Sequence, residues 1–410
     1  MAIIFSGGRG DATTPVRDLK IAGLTPVRRI AHAVRAAGCT RAFIAADTLQ
    51  AMAPAALGRD AHGLDVTIVP TGTPLEIQGE TSALLVPADL LIDQRILAAM
   101  LADPAPRVFA AGPKDQSTRI AKVPMTWLRE RAPISLDHGM FVSLIAAARE
   151  GAKTIDIRLL DTSMPSHSRA VPMLWQPVTT QAEAKAATDA VLNAAQMGGQ
   201  DWPGRFIHQP IERWVTARLA STVVTLGQIT AASLVISLVS AWLFAQGLFL
   251  LALVLALAAG ILDGVGGALA RAKLAGSPLG RLERGVREVA AYVIYFGMAG
   301  YFAGTGYGAA PYIMAGTLAL FHVADEVQLA FFRRMSGKSL CDFSPSDRRF
   351  RLVEGGRNTQ LWTFLPFVLF DAWFVGFCVI CAYGVATFFA HQWRFVVAGR
   401  RVLDGSKPQR

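Results

Sequence analysis

The sequence predicts a two-part protein, in which a Rossmann-like α/β domain precedes an all-α domain of six transmembrane helices. Hydrophobic residues make up 52% of the 410 residues and charged residues only 17%, which is too apolar for an ordinary soluble chain. Strand-like and helix-like segments alternate in the first half, and three long, nearly uncharged runs fill the second. The expected divisions are an α/β domain over 1–196, a linker with an interfacial juxtamembrane helix over 197–220, the six-helix domain over 221–398 and a basic cytoplasmic tail over 399–410.

The basic excess of the chain lies in its apolar half. Residues 1–202 carry 20 basic and 19 acidic side chains, whereas residues 203–410 carry 20 and 11. This distribution follows the positive-inside rule of membrane proteins, and we expect no nucleic-acid partner. The four cysteines show no zinc or disulfide spacing, and Cys378 and Cys381 lie in an apolar run where packing is the expected role. The N-terminus lacks the pattern of a cleaved signal peptide.

The first half alternates between short apolar segments and a helix-like pattern from Pro26 to Gly38. Such alternation favours a mostly parallel sheet that helices cover on both faces. The first strand leads into the glycine-rich turn Ser6-Gly7-Gly8-Arg9-Gly10, whose backbone N–H groups could hold a phosphate. Strands are expected at Ala2–Phe5, Arg41–Ala46, Asp65–Val69 and Ala83–Val86.

This order of features resembles that of the sugar-phosphate and inositol-phosphate nucleotidyltransferases. Members of that family carry an Arg-containing glycine loop after the first strand, a phosphate-contacting Lys, and an Asp that holds the catalytic metal after a later strand. The stretch LWQPVTTQAEAKAA offers no second metal-binding Asp, so a retained fold that docks or regulates is an alternative to nucleotide transfer. The resemblance implies nucleotide binding at Gly7, Gly8, Arg9 and Lys20, and metal binding at Asp89.

The second half contains enough apolar sequence for six crossings. Leu219 to Leu262 comprises 44 residues without a formal charge, roughly 66 Å of helix, which suffices for two crossings of a ~30 Å hydrocarbon layer. The runs Val289 to Ala324 and Asn358 to Trp393 supply two further pairs, the last interrupted by Asp371. An amphipathic helix from Ile207 to Leu219 is expected to lie on the membrane surface.

Basic residues precede the first span, separate spans two and three, separate spans four and five, and follow the sixth. The three opposite turns contain no Lys or Arg. The positive-inside rule therefore predicts a multi-pass integral membrane protein with both termini in the cytoplasm, in a membrane of the bacterial inner-membrane type.

The stretch from Ile261 to Val289 carries the most specific pattern in the chain. Its spacing resembles the signature of the CDP-alcohol phosphotransferases, or phosphatidyltransferases: Asp, two residues, Asp-Gly, two residues, Ala-Arg, eight residues, Gly, three residues, Asp, three residues, Asp. Gly266, Arg284 and Glu288 stand where that family has its second, third and fourth Asp. The residues in register are Asp263, Gly267, Ala270, Arg271 and Gly280.

The resemblance implies transfer of a phospho-alcohol from a CDP-activated donor to a hydroxyl acceptor, in phospholipid or related lipid synthesis. It makes Asp263 and Glu288 catalytic, with Asp263 on Mg²⁺ or Mn²⁺ and Glu288 as the base. The implied partners are membrane lipids, a CDP-alcohol or CTP-derived nucleotide, and a homodimer or a heterodimer with an active relative. Bifunctional inositol-phosphate cytidylyltransferase and CDP-inositol phosphotransferase chains show the same order of domains. The implied substrate-binding residues are Gly267, Ala270, Arg271, Gly280 and Arg284.

The loss of carboxylates leaves three interpretations. A full quartet supplies four negative charges, whereas Asp263 and Glu288 together with Arg284 total −1, which is weak for holding divalent ions. The chain could transfer a phospho-alcohol with Arg284 partly replacing a metal. It could be an inactive paralogue that binds nucleotide or lipid, or that partners an active phosphotransferase. It could also be a lipid or solute transporter that uses Asp263 and the polar residues of span four.

Span four carries His322, Asp325 and Glu326 on one helical face. We expect this group to pair with Arg333, Arg334 or the arginines beyond Asp347, and a metal site shared with Asp263 is the alternative. The later arginines could bind the phosphate of a lipid or acceptor, or could simply set the topology. They are Arg348, Arg349, Arg351 and Arg357.

Overall fold

The computed structural model describes residues 1–8, 15–49, 63–70, 72–75, 81–112, 119–164, 169–196, 201–274, 280–336 and 339–403. It separates into two units, one mainly of Met1–Thr162 and Val171–Ala194, the other mainly of Ala195–Arg271 and Ser277–Arg410. The division expected at residue 196 stays a prediction.

A seven-stranded sheet in the order β3-β2-β1-β4-β7-β6-β8 forms the centre of the first unit. β3, β2, β1 and β4 are parallel, β7 runs antiparallel between β4 and β6, and β8 is parallel to β6. The run of parallel strands 3-2-1-4 confirms the Rossmann-like α/β prediction. The strands are β1 (Ala2–Phe5), β2 (Arg41–Ala45), β3 (Asp65–Val69), β4 (Ser82–Pro87), β5 (Leu90–Ile92), β6 (Val108–Ala111), β7 (Arg119–Pro124), β8 (Lys153–Ile155), β9 (Ser163–Met164), β10 (Arg169–Ala170) and β11 (Trp175–Pro177).

Both faces of this sheet are covered, which explains why β1 is a continuous apolar run. Ala2 and Ile4 pack in a core with α1 and α2, while Ile3 and Phe5 pack in a second core with α4. Successive side chains of a strand point to opposite faces, so one four-residue strand serves both cores. The helices of this unit are α1 (Pro26–Ala36), α2 (Gln94–Ala102), α3 (Met125–Arg129), α4 (His138–Arg149) and α5 (Gln181–Ala195).

The second unit is helical. Gly247, with a φ of +78°, and Asp371, with a φ of +54°, form two of the tight turns between its helices. Asp371 is the residue that interrupts the third apolar run of the sequence, and Gly247 lies near the middle of the first, between its two expected crossings. The helices are α6 (Gln209–Ala220), α7 (Leu226–Ala245), α8 (Phe249–Ala272), α9 (Gly280–Phe302), α10 (Ala310–Ser336), α11 (Pro345–Phe350), α12 (Arg357–Leu369) and α13 (Trp373–Leu403).

Three helices of the described chain are long and apolar enough to cross a membrane: α7, α8 and the Trp373–Val402 part of α13. The prediction of six transmembrane helices is therefore supported for half of them. α10 carries His322, Asp325 and Glu326 within its length, and the 13 residues of α12 extend over only about 20 Å. The six-span topology stays a prediction.

The helical unit places many large apolar side chains outside and polar ones inside. Trp242 and Leu250 are exposed, whereas Ser233, Ser237 and Ser240 of α7 are buried. The Ser240 hydroxyl donates a hydrogen bond to the Ala252 carbonyl at 2.8 Å. Small and hydroxyl-bearing residues at helix contacts are typical of membrane helix packing, where the lipid solvates the apolar surface.

Replacement of Gly297 tests this packing. A Cβ at Gly297 of α9 would overlap the backbone carbonyl oxygen of Ala241 in α7, whereas a Cβ at Gly316 of α10 meets nothing within 4 Å. We expect Gly297→Ala to lower the stability of the helical unit by about 1–3 kcal/mol through overpacking. Gly316→Ala, the control, should be neutral or slightly stabilising, because Ala favours helix by up to about 1 kcal/mol. Thermal unfolding in detergent measures both, and equal melting temperatures would contradict the close packing of α7 and α9.

Candidate functional site

In the first unit, the glycine turn and Asp89 meet at the carboxyl edge of the sheet. β1 and β4 are parallel neighbours with Phe5 opposite Pro87, so the residues that follow them lie side by side. The Gly8 N–H donates a hydrogen bond to Asp89 Oδ2 at 2.6 Å. A Cβ at Gly7 would lie 2.9 Å from the Asp89 Cβ, closer than two such carbons approach, so the contact requires glycine. The structure thus brings together three of the five residues predicted here.

The other two predicted residues do not join them. Lys20 is exposed, and no ion pair or hydrogen bond connects it with Asp89 within the described ranges. Arg9 lies outside the described residues. Their roles in nucleotide binding stay proposals.

Two further polar residues lie at this edge that the sequence interpretation missed. The Ser6 hydroxyl donates to Asp47, just after β2, at 2.7 Å. The His138 ring, at the start of α4, lies 3.5 Å from the position of a Cβ on Gly8. Asp137 marks the start of α4 by accepting the Met140 N–H at 2.8 Å. An Asp before a helix can be recognised as a cap from the sequence alone. The position of this helix start beside Gly8, however, depends on the order of the strands in the sheet.

The carboxyl group of Asp89 is poorly suited to hold a metal by itself. Burial raises its pKa, and the Gly8 N–H and His138 only partly oppose that effect. β11 pairs with β5 beside it and brings Glu183 near. Burial acts to raise the pKa of Glu183, but hydrogen bonds from Thr179 and Thr180 outweigh it, so this pKa is lowered. Because Glu183 Oε2 accepts the Thr179 N–H at 2.7 Å and the Thr180 N–H at 3.1 Å, it acts as a helix cap.

In the second unit, Asp263 of α8 is fully engaged by protein groups. Its Oδ1 accepts a hydrogen bond from the Ser233 hydroxyl at 2.6 Å. Its Oδ2 pairs with Arg357 Nη2 at 2.8 Å. Arg357 is the first residue of α12, so this ion pair joins α8 to α12. The residue in register with the first motif Asp is therefore neutralised by an arginine of the same unit.

The glycines of α8 form a strip on which polar side chains lie. A Cβ at Gly260 would lie 3.1 Å from Asn358 Oδ1, and one at Gly267 would lie 3.3 Å from Arg271 Nη1. A Cβ at Gly264 would overlap the Glu212 carboxylate. These glycines recur every three or four residues and so share one side of the helix. They give polar groups close access to the α8 backbone.

Gly266 lies on a different side of α8 from these glycines. A Cβ at this position would lie 3.3 Å from both Ile229 Cγ2 and Leu226 Cδ1 of α7. A carboxylate there would be buried against apolar groups, which costs several kcal/mol unless it is paired. The packing of α7 is therefore unfavourable for a carboxylate at this position, where the CDP-alcohol phosphotransferase signature has its second Asp.

The remaining motif residues are placed only in part. Ala270 and Arg271 are half-buried near the end of α8, and Gly280 begins α9. Arg284 and Glu288 lie one and two turns into α9, and their side chains fall outside the described part of the structure. The assignment of Glu288 as a base stays a proposal.

Glu212 is a site residue that the sequence interpretation missed. The predicted interfacial helix exposes Ile211 and Trp214, as expected, but turns Glu212 inward with only 5% of its surface exposed. Burial raises the pKa of Glu212 to about 7, and Arg271 partly opposes this. A charged residue on an amphipathic helix suggests solvent exposure by default, so the sequence carried no signal of this burial.

Two buried polar atoms around Gly260 have no hydrogen-bond partner within the described residues. They are His208 Nδ1 and Asn358 Oδ1. The other ring nitrogen of His208 accepts from Trp362 Nε1 at 2.9 Å, which fixes the ring. Since an unsatisfied buried polar group costs about 1–3 kcal/mol, these atoms mark a place where a polar ligand would be stabilised.

The expectation for span four is wrong for Asp325. This residue contacts His391 of α13, with His391 Nδ1 2.6 Å from Asp325 Oδ2, instead of an arginine. Asp263 is held by Ser233 and Arg357. Among the described residues, Asp263 does not share a cluster of metal-ligand atoms with His322, Asp325 and Glu326, and a metal site formed by these four residues stays a prediction.

Comparison with solved structures gives matches that cover about half of the chain. No protein-family model matches, and no curated protein matches the sequence. The inositol-1-phosphate CTP transferase from T. maritima covers 46% of this chain and 95% of its own, with 12% identity and a TM-score of 0.31. A protein described as a glucose-1-phosphate thymidylyltransferase from Bacillus anthracis covers 46% and 93%, with 10% identity and a TM-score of 0.30. At these values the likeness concerns the fold alone.

The burial of Glu212 predicts a pH-dependent stability. Its pKa rises from an ordinary 4.5 to about 7 on folding, so between these pH values the unfolded chain releases a proton that the folded chain keeps. The free energy of unfolding should fall across this window by about 3 kcal/mol. Glu212→Gln removes the titration. We expect its melting temperature in detergent to match wild type near pH 4.5 and to exceed it at pH 8.

Glu130→Gln, at an exposed position, provides the control and should behave like wild type at both pH values. A shift of equal size at pH 4.5 and pH 8 in Glu212→Gln would show that Glu212 is not buried as a neutral acid.

Proposed function

We propose that the chain is a membrane protein of the CDP-alcohol phosphotransferase type that binds the diphosphate of a CDP-alcohol, or of another CTP-derived nucleotide, beside Asp263. The observation that supports this most directly is the ion pair between Asp263 and Arg357. In this pair a guanidinium, instead of a metal ion, lies against the carboxylate that the family resemblance implies as a metal ligand.

The charges of the site favour a phosphate over metal ions. Asp263 and Arg357 cancel, Glu212 is near half-protonation at pH 7, and Arg271 adds a positive charge beside Gly267. Two divalent cations require concentrated negative charge, which the described residues do not supply. A diphosphate instead requires positive charge, and arginine binds phosphate oxygens through two parallel N–H donors. In the bound state a phosphate would replace the Asp263 carboxylate as the partner of Arg357.

The surroundings fit the rest of such a ligand. Because His208 Nε2 accepts from Trp362, the orphaned His208 Nδ1 could donate to a ribose hydroxyl, and the orphaned Asn358 Oδ1 could accept from a ribose hydroxyl or a cytosine amino group. Gly260, Gly264 and Gly267 leave space along the α8 backbone for a ligand to approach. The apolar helices supply a lipid environment for an acceptor with an acyl chain.

For the first unit we propose a nucleotidyltransferase-like fold that binds nucleotide without efficient metal-dependent transfer. The Gly8 N–H already donates to Asp89, and Glu183 caps α5. A single carboxylate with a raised pKa holds Mg²⁺ or Mn²⁺ weakly. A docking or regulatory role is consistent with these contacts.

A second candidate function is the complete transfer reaction, which Glu212 favours. A carboxyl group with a pKa of about 7 suits a general base at neutral pH. In this reaction the acceptor oxygen attacks the β-phosphorus of the CDP-alcohol, the bond from that phosphorus to the bridging oxygen breaks, and CMP leaves. The hydroxyl proton passes to a carboxylate, for which Glu212 and Glu288 are the candidates.

A binding assay tests the proposal. Purified full-length chain in detergent is titrated with a panel of CDP-alcohols and CTP, with and without EDTA. We expect binding that persists in EDTA, because an arginine and not a metal holds the diphosphate. Arg357→Gln should weaken binding at least about 10-fold, equivalent to 1.4 kcal/mol. Arg213→Gln, at an exposed arginine of α6, is the control and should bind like wild type.

Release of CMP in the same samples separates the two candidates. CMP release that requires Mg²⁺ or Mn²⁺, and that Asp263→Asn and Glu288→Gln abolish, would establish metal-dependent transfer and contradict metal-free binding. Release that persists in EDTA and is lost in Glu212→Gln would support transfer with Glu212 as the base. The absence of binding to every donor would overturn both candidates.

A further inference from the structure

A second polar cluster lies in the helical unit, apart from the motif. It consists of Cys341 in the turn Leu340–Asp342 after α10, Glu354 in the loop before α12, and His391 of α13. The Cys341 thiol, one Glu354 oxygen and one His391 ring nitrogen all lie within 4.8 Å of one another. We propose that these three side chains bind a transition-metal ion of the Zn²⁺ type.

One pair of the ligand atoms is already near the spacing of an occupied site. Zinc binds cysteine sulfur at about 2.3 Å and histidine nitrogen or carboxylate oxygen at about 2.0–2.2 Å, so tetrahedral ligand atoms lie roughly 3.3–3.7 Å apart. His391 Nε2 and Glu354 Oε2 lie 3.8 Å apart. The three ligand atoms lie within 4.8 Å of one another, so side-chain shifts of up to about 1 Å would bring all three to the spacing of a bound ion.

The ligand atoms of His391 and Glu354 lack other partners. His391 Nε2 and Glu354 Oε2 are both buried and accept no hydrogen bond from any described residue. The His391 side chain is only 2% exposed, so bulk water does not compensate for it. A nitrogen and a carboxylate oxygen that face each other without a hydrogen bond are stabilised when a cation lies between them.

Asp325 orients the imidazole for this role. Its Oδ2 lies 2.6 Å from His391 Nδ1, a contact that favours the proton on Nδ1 and leaves the Nε2 lone pair for a metal. A carboxylate on the far nitrogen is a common partner of metal-binding histidines, and its removal typically costs 10–100-fold in metal affinity. Asp325, which was expected from the sequence to pair with an arginine, therefore orients a ligand of this second cluster.

The donor set and charge favour zinc over Mg²⁺ or Mn²⁺. A thiolate and an imidazole are soft or borderline ligands, whereas Mg²⁺ and Mn²⁺ prefer oxygen. A thiolate and a carboxylate neutralise Zn²⁺, which suits a buried position. The nearby Arg394 pairs with Asp347, so its charge is already compensated. A bound ion would tie the segment after α10 and the loop before α12 to α13.

Metal analysis of the intact protein tests the proposal. The full chain is purified in detergent without a polyhistidine tag, and its zinc content is measured before and after dialysis against a chelator. We expect about one equivalent of zinc per chain after titration back to saturation. Substitution by Co²⁺ should give visible absorption of a tetrahedral centre together with a thiolate-to-cobalt charge-transfer band. The loss of that band in Cys341→Ser identifies the cysteine ligand.

The variants separate metal binding from misfolding. Cys341→Ser, Glu354→Gln and His391→Gln should each weaken Zn²⁺ binding at least about 100-fold, and Asp325→Asn about 10–100-fold. Cys378→Ser, outside the cluster, is the control and should bind like wild type. Gel filtration and circular dichroism confirm the fold of each variant. Less than a tenth of an equivalent of zinc at saturation, or a cobalt spectrum unchanged in Cys341→Ser, would overturn the proposal.

Discussion

The ion pair between Asp263 and Arg357 is the interaction on which the helical unit depends. It joins two helices at 2.8 Å, with 14% and 23% of the two side chains exposed. Removal of one partner from a largely buried pair leaves an uncompensated charge and costs about 3–5 kcal/mol. The Ser233 hydroxyl, from a third helix, occupies the other Asp263 oxygen. Three helices therefore converge on one carboxylate, and their packing fixes Ser233 and Arg357 around it.

The same pair separates this site from a metal-dependent transferase site. A carboxylate cluster repels itself until cations enter, whereas this arrangement is already balanced by an arginine of its own chain. Its unsatisfied atoms are neutral ones, His208 Nδ1 and Asn358 Oδ1. The burial of Glu212 raises its pKa to about 7 and so destabilises the folded state at neutral pH. Proteins commonly lose stability in this way where a destabilising group serves function. These features suit recognition of an anionic, hydrogen-bonding ligand.

Local patterns in the sequence were enough to predict the α/β unit and the apolar helices, because both depend on hydrophobic periodicity. The grouping of Gly7, Gly8 and Asp89 was implied only by the family resemblance, and the parallel pairing of β1 and β4 explains why these residues meet at one edge of the sheet. The pairing of Asp263 with Arg357 spans 94 residues and needed the helix packing. The inward turn of Glu212 and the contact of Asp325 with His391 were missed for the same reason. The partner of a charged residue can therefore be identified only from the tertiary structure.

α12 and α13 meet at one turn but differ greatly in length. α12 ends and α13 begins at the short turn that contains Asp371, and the two helices contain 13 and 31 residues. At about 1.5 Å per residue, α13 extends over about 46 Å, more than the ~30 Å thickness of a hydrocarbon layer, whereas α12 extends over only about 20 Å. Arg357 lies at the end of α12 away from that turn, so a bilayer that α13 crosses from this turn would have to thin, or admit water, for the guanidinium to stay hydrated.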